Sequence, residues 1–152
     1  METYTIRPIA FVHRNEAKQG TTAEMKNSIS EITLAEDIPA EAFDGIETFS
    51  HLYILFHFNK IGHADFIYKG HPRDNKSFPE VGIYAHCNQR RLNHIGTTRV
   101  GLLERRGRTI VVSGLDAFDG TPVIDIKPVF DDFTAIHLRQ PAWADEIMKP
   151  SR

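Results

Sequence analysis

Two stretches of this chain carry residue types that core packing does not call for. The first is Tyr84-Ala85-His86-Cys87-Asn88-Gln89-Arg90-Arg91-Leu92-Asn93-His94-Ile95-Gly96, a polar loop between apolar segments. The second is Asp116-Ala117-Phe118-Asp119-Gly120-Thr121-Pro122-Val123-Ile124-Asp125-Ile126-Lys127-Pro128. In the first, Arg91 offers a planar fork of donors and Asn93 both donates and accepts, so the pair can hold a carboxylate or a purine edge. The same groups can equally bind backbone carbonyls and close their own loop. In the second, Asp119-Gly120-Thr121-Pro122 has the composition of a tight turn. Beyond it, strand periodicity puts Asp125 and Lys127 on one side and Ile124 and Ile126 on the other. A charged strand face points at solvent, at a partner or into a polar cavity. With Asp116 and Asp119 close by, a ligand-facing carboxylate stands beside the solvent reading. A turn followed by such a strand fits the wall of a small-molecule pocket.

Other chemistry is less well supported. His57, His63 and His71 are widely spaced, and His86, Cys87 and His94 cluster without the tight pairs of known metal sites. Polar strand and loop histidines are the better reading, and no metal is expected. Cys87 beside His86 could be an activated thiolate, although an idle cysteine is the simpler reading. The chain has no P-loop, Gly-x-Gly-x-x-Gly, Gly-x-Ser-x-Gly or His-Glu-x-x-His. Nucleotide hydrolysis, Rossmann-type binding and common hydrolase chemistry therefore lack their carriers. Arg90, Arg91, Arg99, Arg105, Arg106 and Arg108 form a basic interval opposed only by Glu104. That interval can meet phosphates or edge a solvated hairpin.

The elements that must position these residues read mostly as strands. Tyr4 to Val12, Glu31 to Leu34, Ser50 to Phe58, Val81 to Ala85, Thr97 to Glu104, Thr109 to Ser113 and Pro122 to Lys127 are the expected strands. Along Ser50 to Phe58, Leu52, Ile54, Phe56 and Phe58 face one way, and His51, Tyr53, Leu55 and His57 the other. Arg106-Gly107 supplies a hairpin turn. Pro39 to Phe43 reads as one helical turn closed by glycine, and Pro141 to Met148 as a short terminal helix. Gly62 to Pro79 is an excursion loop, of a length that is usually functional or disordered. The result is a mainly β fold, a single small barrel or sandwich domain spanning 1–152.

The totals agree with a globular domain. The chain has 152 residues, is 41% apolar and 25% charged, and carries a net charge of −2. That charge exerts no global pull on nucleic acid. No stretch approaches the roughly 20 apolar residues of a membrane span. The N-terminus lacks the pattern of a secretion signal. Cys87 is the single cysteine, which excludes an intramolecular disulfide and favours a reducing cytoplasm.

At these residues the chain resembles the TsaA-like (TrmO, YaeB-like) family of S-adenosylmethionine-dependent tRNA methyltransferases. The resemblance runs from Ile6-Arg7-Pro8-Ile9-Ala10 to about Asp131 and is strongest from Gly45 to Phe56 and from Asp119 to Pro128, with His71-Pro72-Arg73 between them. In the third motif, Tyr84, Ala85, Arg91, Asn93, Ile95 and Gly96 match the family. His86 and Cys87 replace a threonine and an arginine, and Leu92 and His94 replace two prolines. The resemblance implies a β-barrel acting as a homodimer in the cytoplasm, with S-adenosyl-L-methionine as cofactor. It implies N6-methylation of threonylcarbamoyl-adenosine in tRNA, without the additional C-terminal domain of longer bacterial relatives. By the same resemblance Phe58, Asn59, Arg91, Asn93, Phe118, Asp119, Gly120 and Thr121 surround the cofactor, and Asp119 or Asp125 is the candidate general base. The departures at Cys87, Leu92 and His94 leave two alternatives, a cofactor-binding sensor without catalysis and a methyltransferase of another substrate.

Overall fold

The structure, a computed structural model, describes residues 1–15, 27–62 and 65–149. Eight strands occur among them: β1 (Ala10–His13), β2 (Ile29–Leu34), β3 (His51–His57), β4 (Lys69–Gly70), β5 (Val81–Gly82), β6 (Ile95–Arg106), β7 (Thr109–Ser113) and β8 (Pro122–Pro128). Six of them close a barrel in the order β1-β2-β7-β6-β3-β8, with every neighbouring pair antiparallel. Closure leaves the barrel itself no open edge, which is how a small all-β domain avoids edge pairing.

Alternation does most of the folding work. On β3, Leu52, Ile54 and Phe56 are buried, while Tyr53, Leu55 and His57 are half-buried. On β2, Ser30, Ile32 and Leu34 point inward. With Val12, Val100, Ile110, Val112 and Val123 these side chains fill the barrel. The period-2 stagger of pleated strands is the reason the pattern survives from sequence to core.

Three expectations change. The strand expected from Tyr4 begins only at Ala10. Pro8 has no N–H to contribute to a ladder, and residues 1–7 are exposed. The strand expected over Val81 to Ala85 stops at Gly82, where Ile83–Ala85 turns into a 3-10 helix. On β8, the pairing with β3 shifts register, so that Phe56 faces Val123 while Leu55 faces Asp125. Ile124 is the extra residue of this bulge and leaves the core, and Val123 and Ile126 pack inward instead.

The expected helical turn is a 3-10 segment, Ala40–Phe43, followed by Gly45 at φ 84°. Arg105 ties this region to β6, with Nη2 3.0 Å from both the Ala40 carbonyl and Asp44. Arg106 pairs with Glu31 and Glu104, and Arg108 donates to the Leu34 and Ala35 carbonyls. Much of the arginine interval therefore fastens the barrel's own strands. The excursion after β3 contains β4, paired with β5, and a 3-10 turn at Pro72–Asp74. Its residues 63 and 64, including His63, lie outside the described residues. The terminal helix α1 spans Ala142–Ile147. No helix among the described residues is long and apolar enough to cross a membrane.

Candidate functional site

One end of the barrel opens into a cavity of about 530 Å³, within the usual range for small-molecule sites. Its floor is aromatic. Phe56 pairs with Gly96 across β3 and β6, and the Phe56 and Phe58 rings meet edge to face at 5.3 Å. A Cβ on Gly96 would lie 2.6 Å from the Phe56 ring and 2.7 Å from that of Phe58. Glycine at 96 is therefore what lets both rings seat over β6.

The loop from His86 to His94 forms one wall. Arg91 donates from Nη1 to the carbonyls of His86 at 3.2 Å and Asn88 at 3.3 Å, holding the loop closed. Its remaining guanidinium donors make no bond among the described residues, and Arg91 lines the cavity. Of the two alternatives left open for this arginine, loop closure is the one observed, and the rest of the fork borders the cavity. Asn88 accepts from the Arg90 N–H at 2.8 Å, while Arg90 pairs with Asp65 at 3.1 Å. His94 is 2% exposed, with φ 49°, and its Nδ1 lies 3.1 Å from the Gln89 carbonyl. A carbonyl only accepts, so Nδ1 carries the proton there. Burial holds the His86 imidazole below its ordinary pKa, and the Arg91 guanidinium adds to this while Asp74 partly opposes it.

The opposite wall is the corner from Asp116 to Thr121. Thr121 N–H donates to the Phe118 carbonyl at 3.2 Å, and Gly120 takes φ 77° in this turn, a conformation that suits glycine. Asp119 accepts from the Arg14 N–H at 2.9 Å, and Arg14 Nη1 donates to the Ala117 carbonyl at 2.9 Å. These bonds anchor the corner to the chain beyond β1. Phe118 faces the cavity with Lys60 Nζ 5.0 Å from its ring centroid.

Of the positions expected around a ligand, Phe58, Asn59, Arg91, Phe118 and Thr121 line this one cavity. Asp119 and Gly120 shape its corner without lining it, and Asn93 is exposed beside it. Asp125 lies opposite Leu55 on the outer face of β8, paired with Lys127 at 2.8 Å. The lining also includes Lys60, Arg73, Asp74, Cys87 and Thr98, which the sequence did not single out as ligand positions. His71-Pro72-Arg73 was a visible signal, but nothing local placed that excursion over the barrel mouth. Among the described residues no three His, Cys, Asp or Glu side chains gather as a metal-binding group.

Fold and cavity together define a closed six-stranded antiparallel barrel with an open cavity at its mouth. The chain belongs to the tRNA-methyltransferase O N-terminal domain family, whose model matches residues 10–135. It is 35% identical over 144 residues to a probable S-adenosyl-L-methionine-binding protein of Archaeoglobus fulgidus, covering 93% of this chain and 38% of that one. It is 38% identical over 95 residues to the tRNA (adenine(37)-N6)-methyltransferase of Mus musculus, covering 62% of this chain and 22% of that one. The crystal structure of TrmO from Pseudomonas aeruginosa superposes with a TM-score of 0.69 at 25% identity, covering 93% of this chain and 62% of that chain. The chain thus spans 38% and 22% of the lengths of the Archaeoglobus and mouse relatives.

Proposed function

We propose that this chain binds S-adenosyl-L-methionine in the barrel-mouth cavity and transfers its methyl group to N6 of an adenosine in tRNA, threonylcarbamoyl-adenosine being the expected acceptor. The observation that carries this reading is the convergence of the Arg91 loop and the Phe118–Thr121 corner on one cavity. The donor set fits the cofactor. Phe58 and Phe118 offer π-faces to a sulfonium, the free donors of Arg91 suit a carboxylate, and Asn59 and Asn88 can read an adenine edge. The aromatic floor exists only because Gly96 lacks a Cβ. When bound, the cofactor supplies an electrophilic methyl on a positively charged sulfur.

The protein's part is chiefly positioning, since in-line displacement is accelerated by holding nucleophile and methyl in register. Phe56 and Phe58 exclude water from the floor, and the Arg91-closed loop fixes the side wall. We assign Asp119 to bracing the corner through the Arg14 N–H; neither candidate base lines the cavity, and Asp119, at its corner, is retained ahead of the outward-facing Asp125.

We further propose a two-fold homodimer in the cytoplasm. Residues 131–140 are all exposed and include Phe133, Ile136 and Leu138, apolar side chains in a mixed segment that a second copy can cover. The second functional reading, binding without transfer, is favoured by Cys87, which lines the cavity where the resemblance expects an arginine. Calorimetry with S-adenosyl-L-methionine and transfer of labelled methyl to total tRNA separate the two. Binding with transfer supports the enzyme, binding alone supports the sensor, and absence of binding refutes both.

A further inference from the structure

Six charged side chains line the cavity: Lys60, Arg73, Arg90 and Arg91 against Asp74 and Asp116. Arg90 is matched by Asp65. The cofactor of the proposed reaction carries two positive groups, a sulfonium and an ammonium, and one carboxylate. Asp74 and Asp116 complement the two positive groups, and the free edge of Arg91 complements the carboxylate. Lys60 and Arg73 are then left over. Neither has an ion pair among the described residues, and Arg73 and Asp74, although adjacent in sequence, do not pair with each other.

The presentation of Arg73 is unusual as well. Arg73 and Asp74 both take left-handed backbone, at φ 53° and 55°, in a turn whose Pro72 is fully buried. The turn is closed by Asp74 N–H to the His71 carbonyl at 2.9 Å and by His71 Nδ1 to the Phe78 carbonyl at 2.8 Å. Strained non-glycine residues persist where the surroundings impose them, and they concentrate at ligand sites. Among the described residues Lys60 is held by the half-exposed ring of Phe118, a weak attraction from which an anion can draw it.

We propose that Lys60 and Arg73 form an anion subsite of the cavity that holds a carboxylate or phosphate oxygen of the methyl acceptor. This rests on the methyltransferase reading and adds which residues take which reactant. With the one carboxylate of the cofactor matched by Arg91, two further cations complement an anionic group of the other substrate.

The test uses the full chain, with Arg73→Gly and Lys60→Met. Glycine removes the guanidinium but accepts the left-handed backbone, so the fold is kept, as a thermal melt verifies. The expected result is an acceptor KM raised about tenfold in each variant, with the affinity for S-adenosyl-L-methionine within about twofold of wild type. An unchanged acceptor KM overturns the subsite, and so does a loss that falls on cofactor affinity instead. Two tRNA preparations, with and without an acidic carbamoyl group on the target adenosine, distinguish the sources. A loss confined to the acidic base assigns the carboxylate, and an equal loss on both assigns the phosphate. Filter binding of the same tRNAs separates the subsite from the transferase reading. Weaker tRNA binding by Arg73→Gly supports the subsite even where no methyl is transferred, and equal binding overturns it.

Discussion

Replacing Gly96 by alanine tests the link between the barrel's packing and its cavity. The added Cβ would sit 2.6 and 2.7 Å from two atoms of the Phe56 ring and 2.7 Å from the Phe58 ring. Carbon atoms pack at about 3.5–4.0 Å, so close to an ångström of overlap must be relieved. Phe56 is 3% exposed and packed in the barrel, and the two rings contact each other at 5.3 Å, so one cannot move without the other. Overpacking of this kind costs about 1–3 kcal/mol. For a domain of this size each kcal/mol lowers Tm by about 2–4 °C, which gives a drop of about 2–12 °C in a calorimetric melt. Because the same rings floor the cavity, affinity for S-adenosyl-L-methionine should fall in parallel. Gly62→Ala is the control, since among the described residues a Cβ there would meet only the Asp65 Cβ at 4.0 Å. If Gly96→Ala melts within about 1 °C of wild type and binds the cofactor normally, the account of the floor is wrong.

The other predictions concern the clamps and the walls. Arg105→Ala should destabilise the fold by about 1–2 kcal/mol in urea titration, mostly through the lost hydrogen bond to the Ala40 carbonyl, because its acidic partners are largely solvent-exposed. His86 has a lowered pKa in the fold, so below its ordinary value near 6.5 the unfolded chain binds the extra proton first. Stability should therefore fall as pH drops from about 6.5 toward the folded pKa. His86→Gln should flatten that part of a Tm-against-pH curve, and an unchanged slope would assign the acid loss to other groups. Asp125→Asn should leave methyl transfer within about twofold of wild type, because the carboxylate faces outward against Lys127. Asp119→Ala should loosen the corner held through the Arg14 N–H and cost about 1 kcal/mol. A cofactor affinity unchanged in calorimetry would remove Asp119 from the site.

Local pattern carried a good deal of this protein. The alternation of Leu52, Ile54 and Phe56 announces β3 and its inward face, because side-chain direction in a strand is fixed by parity alone. The Arg106-Gly107 turn between β6 and β7, and the glycine demanded after Asp119, follow from backbone preferences that any short window reveals. Other features depended on partners remote in sequence. The bulge that expels Ile124 from the core is set by pairing with β3, some seventy positions away. The arginines from 90 to 108 read as a basic patch until Glu31, Asp44, Glu47 and Asp65 arrive from other segments.

The cavity itself lies furthest from what a linear reading reaches. Its lining comes from the end of β3, the excursion turn at Arg73, the Arg91 loop, the start of β6 and the Phe118 corner, five segments spread over about half the chain. Most of the barrel strands, the tight turns and the types of group available for binding were legible in the sequence alone, because these depend on backbone sterics and side-chain chemistry. Barrel closure decided which of those groups meet, because a closed ring of antiparallel strands brings loops from distant positions to one rim.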